Sequence, residues 1–247
     1  MKAVHVETGR HFYGGAQQVI WLLEGLVAAG VDCELVCPPD SDIASRASAL
    51  GLSVVEMPCA GDHDIRFMWR LRNFLRKAKP DLVHCHSRRG ADFWGGRAAR
   101  AAGIPAVLSR RVDSLESSYF SRLRYKPFNK VIAISGNIAT VLNTAGINSD
   151  RLVVIRDAVD VDSVNQAPEA DVLSRYFDLT EKHFAIAVVA QLIRRKGHRF
   201  LFDVLPGLVF KNPQIRVVVF GVGPDEVQLR ALARKLGLSG AVKFAGF

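Results

Sequence analysis

The sequence predicts an α/β protein built on two doubly wound parallel sheets, the second of them incomplete, and three features of its 247 residues predict this. Short runs of β-branched and small apolar residues alternate with segments whose apolar residues recur at helical spacing. Glycines mark two of the strand-to-helix joints, Gly14-Gly15 and Gly221-Val222-Gly223. The alternation breaks between Val161 and Asp178 and then resumes, which divides the chain. Such alternation specifies parallel strands with helices on both faces.

Taken in order, the first strand is the apolar run Lys2–Glu7, followed by Gly14-Gly15 and a helix over Ala16–Ala29 that stops at Gly30. A strand over Cys33–Cys37 leads to a helix near Ile43–Leu50, and one over Ser53–Met57 to a helix near Ile65–Lys77. Leu82–His86 leads to Ala91–Ala102, Ala106–Arg111 to Ser117–Tyr125, and Lys130–Ile134 to Gly136–Ala145. Arg151–Ile155 closes a sheet of about seven strands. The boundary lies near residues 163–182, with domains of 1–164 and 165–247. The second domain holds a strand over Ala185–Leu192, a helix over Phe200–Phe210, a strand over Ile215–Phe220, a helix over Asp225–Leu236 and a strand over Val242–Phe247. Three parallel strands leave an edge and a face uncovered, so a longer parent chain or a covering partner is expected.

Composition narrows the function classes. With 49% hydrophobic residues the chain is globular rather than disordered. Its apolar runs all fall short of the 18 or so residues that span a bilayer. The four cysteines lack CxxC spacing, and the start MKAVHVET lacks a basic-then-apolar leader. A cytoplasmic location is therefore expected, with any membrane contact peripheral. The net charge of +9 attracts anions, whether nucleic acid, acidic headgroups or phosphate-bearing small molecules. No nucleic acid is expected, because the cations are spread and no interleaved aromatic motif or zinc spacing accompanies them.

Several motifs carry chemistry. Gly14, Gly15 and Ala16 lie at the turn where the first strand hands over to the first helix, whose free amides can hold phosphate oxygens; a plain strand-to-helix turn is the alternative. Gln191-Leu192-Ile193-Arg194-Arg195-Lys196-Gly197 sets three cations at the carboxyl end of the second domain's first strand, against the alternative of a solvated basic loop. Gly221 and Gly223 follow a strand, but Glu226 stands where a dinucleotide fingerprint has its third glycine. His84 and His86 share one strand face with Cys85 on the other, and no metal is expected, since no further ligand motif accompanies them. On the helix near Ile65–Lys77, Phe67, Met68, Leu71, Phe74 and Leu75 share one arc. Arg66, Trp69 and Arg70 lie on the basic side, which suits an anionic membrane surface or simply water.

In order and spacing, these segments resemble the family 4 retaining glycosyltransferases of GT-B fold, from Lys2 to Phe247. GGAQQ at Gly14 resembles the family's GGAE-like loop, DLVHCHS at Asp81 its strand-plus-histidine segment, and VIAISGNI at Val131 its strand-serine-helix segment. VIRDAVDVDSV at Val154 resembles the domain junction, and VVAQLIRRKG at Val188 the stretch that the family writes with GRLxxxKG. The resemblance implies sugar transfer from a nucleotide diphosphate to a hydroxyl acceptor, and the basic helix with Trp69 fits a lipid-linked or lipopolysaccharide acceptor, hence a role in cell-envelope polysaccharide or lipopolysaccharide synthesis. The nucleotide sugar is then a co-substrate, no resident cofactor is needed, and a glycan or lipid-linked acceptor meets the N-terminal domain. It places the diphosphate on Gly14, Gly15 and Ala16, with Gln191, Arg194, Lys196, Gly221 and Gly223 lining the donor side. His86, Arg111 and Lys196 are the candidate catalytic residues. Three positions depart from the family pattern: Gln191 replaces an arginine, Arg111 a histidine, and Asp157-Ala158 an Asn-Gly pair. The family's paired-glutamate segment is expected beyond Phe247. A nucleotide-sugar epimerase and a non-catalytic module are the alternatives.

Overall fold

The computed structural model describes residues 1–86, 90–114, 117–161, 174 and 177–246. They form two compact units, Met1–Val159 and Asp160–Phe247. The expected division between residues 164 and 165 lies outside the described residues.

The first unit runs β1 (Lys2–Val6), α1 (Gly14–Ala28), β2 (Asp32–Cys37), α2 (Asp42–Ala49), β3 (Ser53–Glu56), α3 (Ile65–Ala78), β4 (Leu82–Cys85), α4 (Gly96–Ala102), β5 (Ala106–Arg110), α5 (Ser118–Tyr125), β6 (Lys130–Ala133), α6 (Gly136–Thr144) and β7 (Leu152–Val154). All neighbouring strands are parallel, in the order β3-β2-β1-β4-β5-β6-β7. The winding reverses between β1 and β4, which opens a crevice outside the carboxyl ends of those two strands. Strand alternation divides the core. Val4, Val6, Val83 and Cys85 pack with Phe67, Leu71 and Leu75 of α3, while Ala3, Leu35 and Cys37 pack with Val19, Ile20 and Leu23 of α1.

Helix α3 shows why its sequence folds as it does. Of its apolar arc Phe67, Leu71 and Leu75 are buried and Met68 and Phe74 half-buried, and Asp64 caps its start by accepting a hydrogen bond from the Phe67 amide (3.1 Å) while also accepting one from the Ala60 amide (3.1 Å). Burial opposes charge on Asp64, but these amides and the Arg70 guanidinium outweigh it and hold the carboxyl below its usual range. Asp64→Ala is expected to cost about 1 kcal/mol at neutral pH, measured by urea unfolding. Because the folded pKa is depressed, that contribution is present above the ordinary carboxylate pKa. It fades as pH falls, so the gap between Asp64→Ala and wild type narrows with acidification.

The continuous helix expected over Ala91–Ala102 is instead a π turn, Ala91–Gly95, followed by α4. Close packing explains the widening. A Cβ on Gly95 would lie 2.4 Å from Cys85 Sγ, and one on Gly96 2.7 Å from the Phe128 ring. The same turn carries buried Asp92 to Arg124, 2.7 Å away.

The second unit holds β8 (Phe184–Val189), α7 (His198–Lys211), β9 (Ile215–Phe220), α8 (Glu226–Lys235) and β10 (Val242–Gly246), with parallel order β10-β9-β8. Leu192, Phe202, Leu205, Val217 and Val219 form its core. The strand expected to reach Leu192 ends at Val189, because the backbone then turns to the loop after β9. There the Leu192 amide donates to Val222 O (3.0 Å), and Leu192 O accepts from the Asp225 amide (3.0 Å). Among the described residues no helix is long and apolar enough to cross a membrane.

Candidate functional site

At the switch point, β1 and β4 pair in register with His5 opposite His84, and the His86 amide donates to Val6 O at 2.9 Å. Alternation then sends His5, His84 and His86 to the same sheet face, away from Cys85. The three rings gather: His84 and His86 centroids lie 3.8 Å apart, and His5 and His86 are stacked at 5.2 Å. His5 Nδ1 and His86 Nε2 share a hydrogen bond of 2.9 Å, and His84 Nε2 one of 2.8 Å with Ser109 Oγ on β5. All three histidines are buried. Burial pushes His5 down to about 4; burial, with His5 and Arg111 nearby, pushes His84 down to about 3. His86 falls in the same direction, chiefly through burial, with His84, His5 and Arg111 nearby, so the trio is uncharged at neutral pH. The sequence reading found His84 and His86 but missed His5. A lone histidine in an apolar run signals nothing until strand register sets it opposite His84.

The glycines belong to the helix rather than to a turn before it: α1 begins at Gly14, after a loop from Glu7 to Tyr13. No side chain caps that start, so its first amides face outward without an intrahelical partner. Gly15 is also where Arg111 passes. A Cβ there would sit 3.4 Å from Arg111 Cδ. Arg111 projects from just beyond β5 because its neighbour Arg110 is buried and holds the following loop. Arg110 donates to Val112 O (2.9 Å), Ser114 O (3.1 Å) and Ser114 Oγ (3.1 Å).

Two of the departures from the family pattern meet in space. Arg111 Nη2 lies 3.4 Å from Asp157 Oδ1, so the two positions expected to depart from that pattern form an ion pair with each other. Gln18 of α1 holds the next residue by both backbone groups, donating to Ala158 O (2.5 Å) and accepting from its amide (3.0 Å). The Nε and Nη1 groups of Arg111 are buried and have no hydrogen-bond partner among the described residues. An outward-facing helix start beside a guanidinium with unused donors is suited to an anion, and phosphate oxygens most directly.

In the second unit, Gln191 follows β8 and Arg194–Lys196 form a 3-10 turn whose three cations are exposed. Gly221 and Gly223 lie against that segment. A Cβ on Gly221 would meet Ala190 O at 2.1 Å, and one on Gly223 would meet Leu192 O at 2.4 Å. Backbone packing therefore accounts for both glycines. His198, at the start of α7, is buried with neither ring nitrogen partnered among the described residues, and burial lowers its pKa. No motif in the sequence had singled it out.

On α3, Arg66 and Trp69 are exposed, and Arg72 stacks over the Trp69 ring at 5.1 Å. Arg70 is tied inward to Pro58 O (2.7 Å) and Asp64 (2.9 Å), which takes it out of the outward basic face.

Comparison with known proteins agrees with this architecture. Residues 13–163 match the Glycosyltransferase Family 4 profile, and residues 173–247 match Glycosyl transferases group 1. The phosphatidyl-myo-inositol mannosyltransferase of Mycobacterium leprae is 26% identical over 94% of this chain and 63% of its own length. A phosphatidylinositol N-acetylglucosaminyltransferase component from Arabidopsis thaliana is 30% identical over 71% of this chain and 40% of its own length. The chain thus matches less than two thirds of either relative. Among solved structures, the Anabaena protein HepE in complex with UDP-glucose superposes with a TM-score of 0.85 at 19% identity, covering 100% of this chain and 69% of that one. The UDP-GlcNAc 2-epimerase of Neisseria meningitidis bound to UDP-GlcNAc does so at 0.67 and 14% identity, over 100% of this chain and 72% of that one. With 13–163 matched by one profile, this chain belongs to Glycosyltransferase Family 4.

Proposed function

We propose that this chain serves a retaining glycosyltransferase that moves a sugar from a nucleotide diphosphate to a hydroxyl acceptor. The carrying observation is Arg111, with two unpartnered donors beside the uncapped start of α1. In this reading the amides of Gly14, Gly15 and Ala16 and the Arg111 guanidinium hold diphosphate oxygens, while Lys196, helped by Arg194, offsets charge on the leaving group. Catalysis is then orientational and electrostatic. His86, uncharged and buried, packs the floor of the site. A guanidinium does not take up a proton, so Arg111 acts by charge and hydrogen bonding alone.

For the acceptor we propose a lipid-linked glycan or lipopolysaccharide in cell-envelope synthesis at the cytoplasmic membrane face. Two relatives named for phosphatidylinositol lipids support a lipid-borne acceptor, as does the exposed Arg66–Trp69 edge of α3. Vesicle flotation checks this, and equal recovery with neutral and anionic vesicles overturns it. The rival reading is a nucleotide-sugar epimerase, favoured by the shared fold at a TM-score of 0.67. Sugar products formed with no acceptor present would establish the rival instead.

The donor reading is tested by calorimetry with UDP, GDP and ADP. One nucleotide is expected to bind best, and Arg111→Ala to weaken it about 10- to 100-fold, the range of a charge-assisted hydrogen bond. Equal affinity in Arg111→Ala and wild type would remove Arg111 from the site.

A further inference from the structure

We propose that His5, His84 and His86 bind one divalent transition-metal ion, Zn2+ being the probe of choice, bridging β1 and β4 at the switch point. One nitrogen from each of the three imidazoles lies within 4.8 Å of the other two, and all three rings are buried. His5 Nδ1 and His86 Nε2 are 2.9 Å apart. On an ion at the usual Zn–N distance of about 2.0–2.1 Å, that spacing subtends about 90°, so a small opening of the pair brings both to a tetrahedral angle. His84 is oriented from outside by Ser109 Oγ, 2.8 Å from its Nε2. Outer hydrogen bonds of this kind hold a ligating imidazole in place, and this one leaves Nδ1 as the nitrogen able to ligate. A set of three imidazoles suits Zn2+, Cu2+ or Ni2+ and has no appeal for Mg2+ or Ca2+, which take oxygen ligands.

Strand register makes the cluster specific. His5 and His84 are direct partners across the parallel pair β1 and β4, so their spacing is set by backbone ladders and not by loop conformation. The ion would tie together the two strands from which the winding diverges. Three neutral ligands with Arg111 close by supply no negative charge, so binding is weaker than at closed thiolate sites. The role is structural, separate from the diphosphate chemistry and independent of the glycosyltransferase reading.

Equilibrium dialysis of the purified chain against Zn2+ is expected to show one bound equivalent. Saturation should raise Tm by about 5 °C, as linkage requires of a ligand held only by the folded state. His5→Gln and His86→Gln should each lose that equivalent, whereas His63→Gln, at an exposed residue outside the cluster, should keep it. X-ray absorption of the zinc-loaded wild type decides the matter even where a variant fails to fold. A nitrogen shell with imidazole multiple scattering supports the site. Sulfur scattering, no bound equivalent, or an equivalent that persists in folded His5→Gln and His86→Gln overturns it.

Discussion

Replacing Lys196 by alanine is expected to lower kcat about 100- to 1,000-fold, the usual effect of removing one charge that acts on a developing anion. The lysine ends the 3-10 turn Arg194–Lys196, which is exposed and makes no hydrogen bond or ion pair through its side chain among the described residues. Its loss should therefore leave Tm and the circular dichroism spectrum unchanged, so the activity change is separable from folding. Since the departing diphosphate carries more charge in the transition state than in the bound donor, kcat should fall more than KM rises. Arg194→Ala should show a smaller effect in the same direction, and Lys196→Arg should recover part of the rate. The measurement is steady-state sugar transfer at saturating nucleotide sugar. Unchanged turnover in Lys196→Ala would end the role proposed for it.

Much of the architecture was legible because strand and helix periods differ. The seven-strand sheet follows from runs such as Lys2–Val6 and Leu82–Cys85, and the buried arc of α3 from its spacing alone. Contacts between strands distant in sequence were not legible. His5 gains meaning only from register with His84, and Asp157 only from its approach to Arg111, 46 positions earlier. Both are pairings for which one sequence holds no local code. The π turn at Ala91–Gly95 was hidden for a related reason: Ala-Asp-Phe-Trp reads as helix, and only Cys85 Sγ pressing on Gly95 shows why the turn must widen. Gly221 and Gly223 illustrate the opposite case. Their motif suggests a ligand, and the packing against Ala190 and Leu192 already requires them.

That packing leads to the larger stability effect. Gly221→Ala should destabilise the second unit by about 3–5 kcal/mol, from two separate causes. At φ +135° the residue lies where side-chain-bearing residues are strained by about 1–3 kcal/mol. The added Cβ would also lie 2.1 Å from Ala190 O, a backbone atom that moves only if β8 moves, and overpacking of this kind costs about 1–3 kcal/mol or more. Gly237→Ala separates the two causes: its φ is +70°, nothing lies within 4 Å of the new Cβ, and it should cost about 1–2 kcal/mol. All three tryptophans, Trp21, Trp69 and Trp94, lie in the first unit, so their fluorescence does not report on this change. Hydrogen exchange of the β8 and β9 amides does, and Gly221→Ala should speed it far more than Gly237→Ala. The Gly221–Gly223 loop also holds Leu192, four residues before Lys196, through the bonds to Val222 and Asp225. Donor affinity should therefore drop with Gly221→Ala and not with Gly237→Ala. Equal exchange in the two variants would mean that β8 yields to the methyl group, and that the glycine is kept for close approach by a ligand instead.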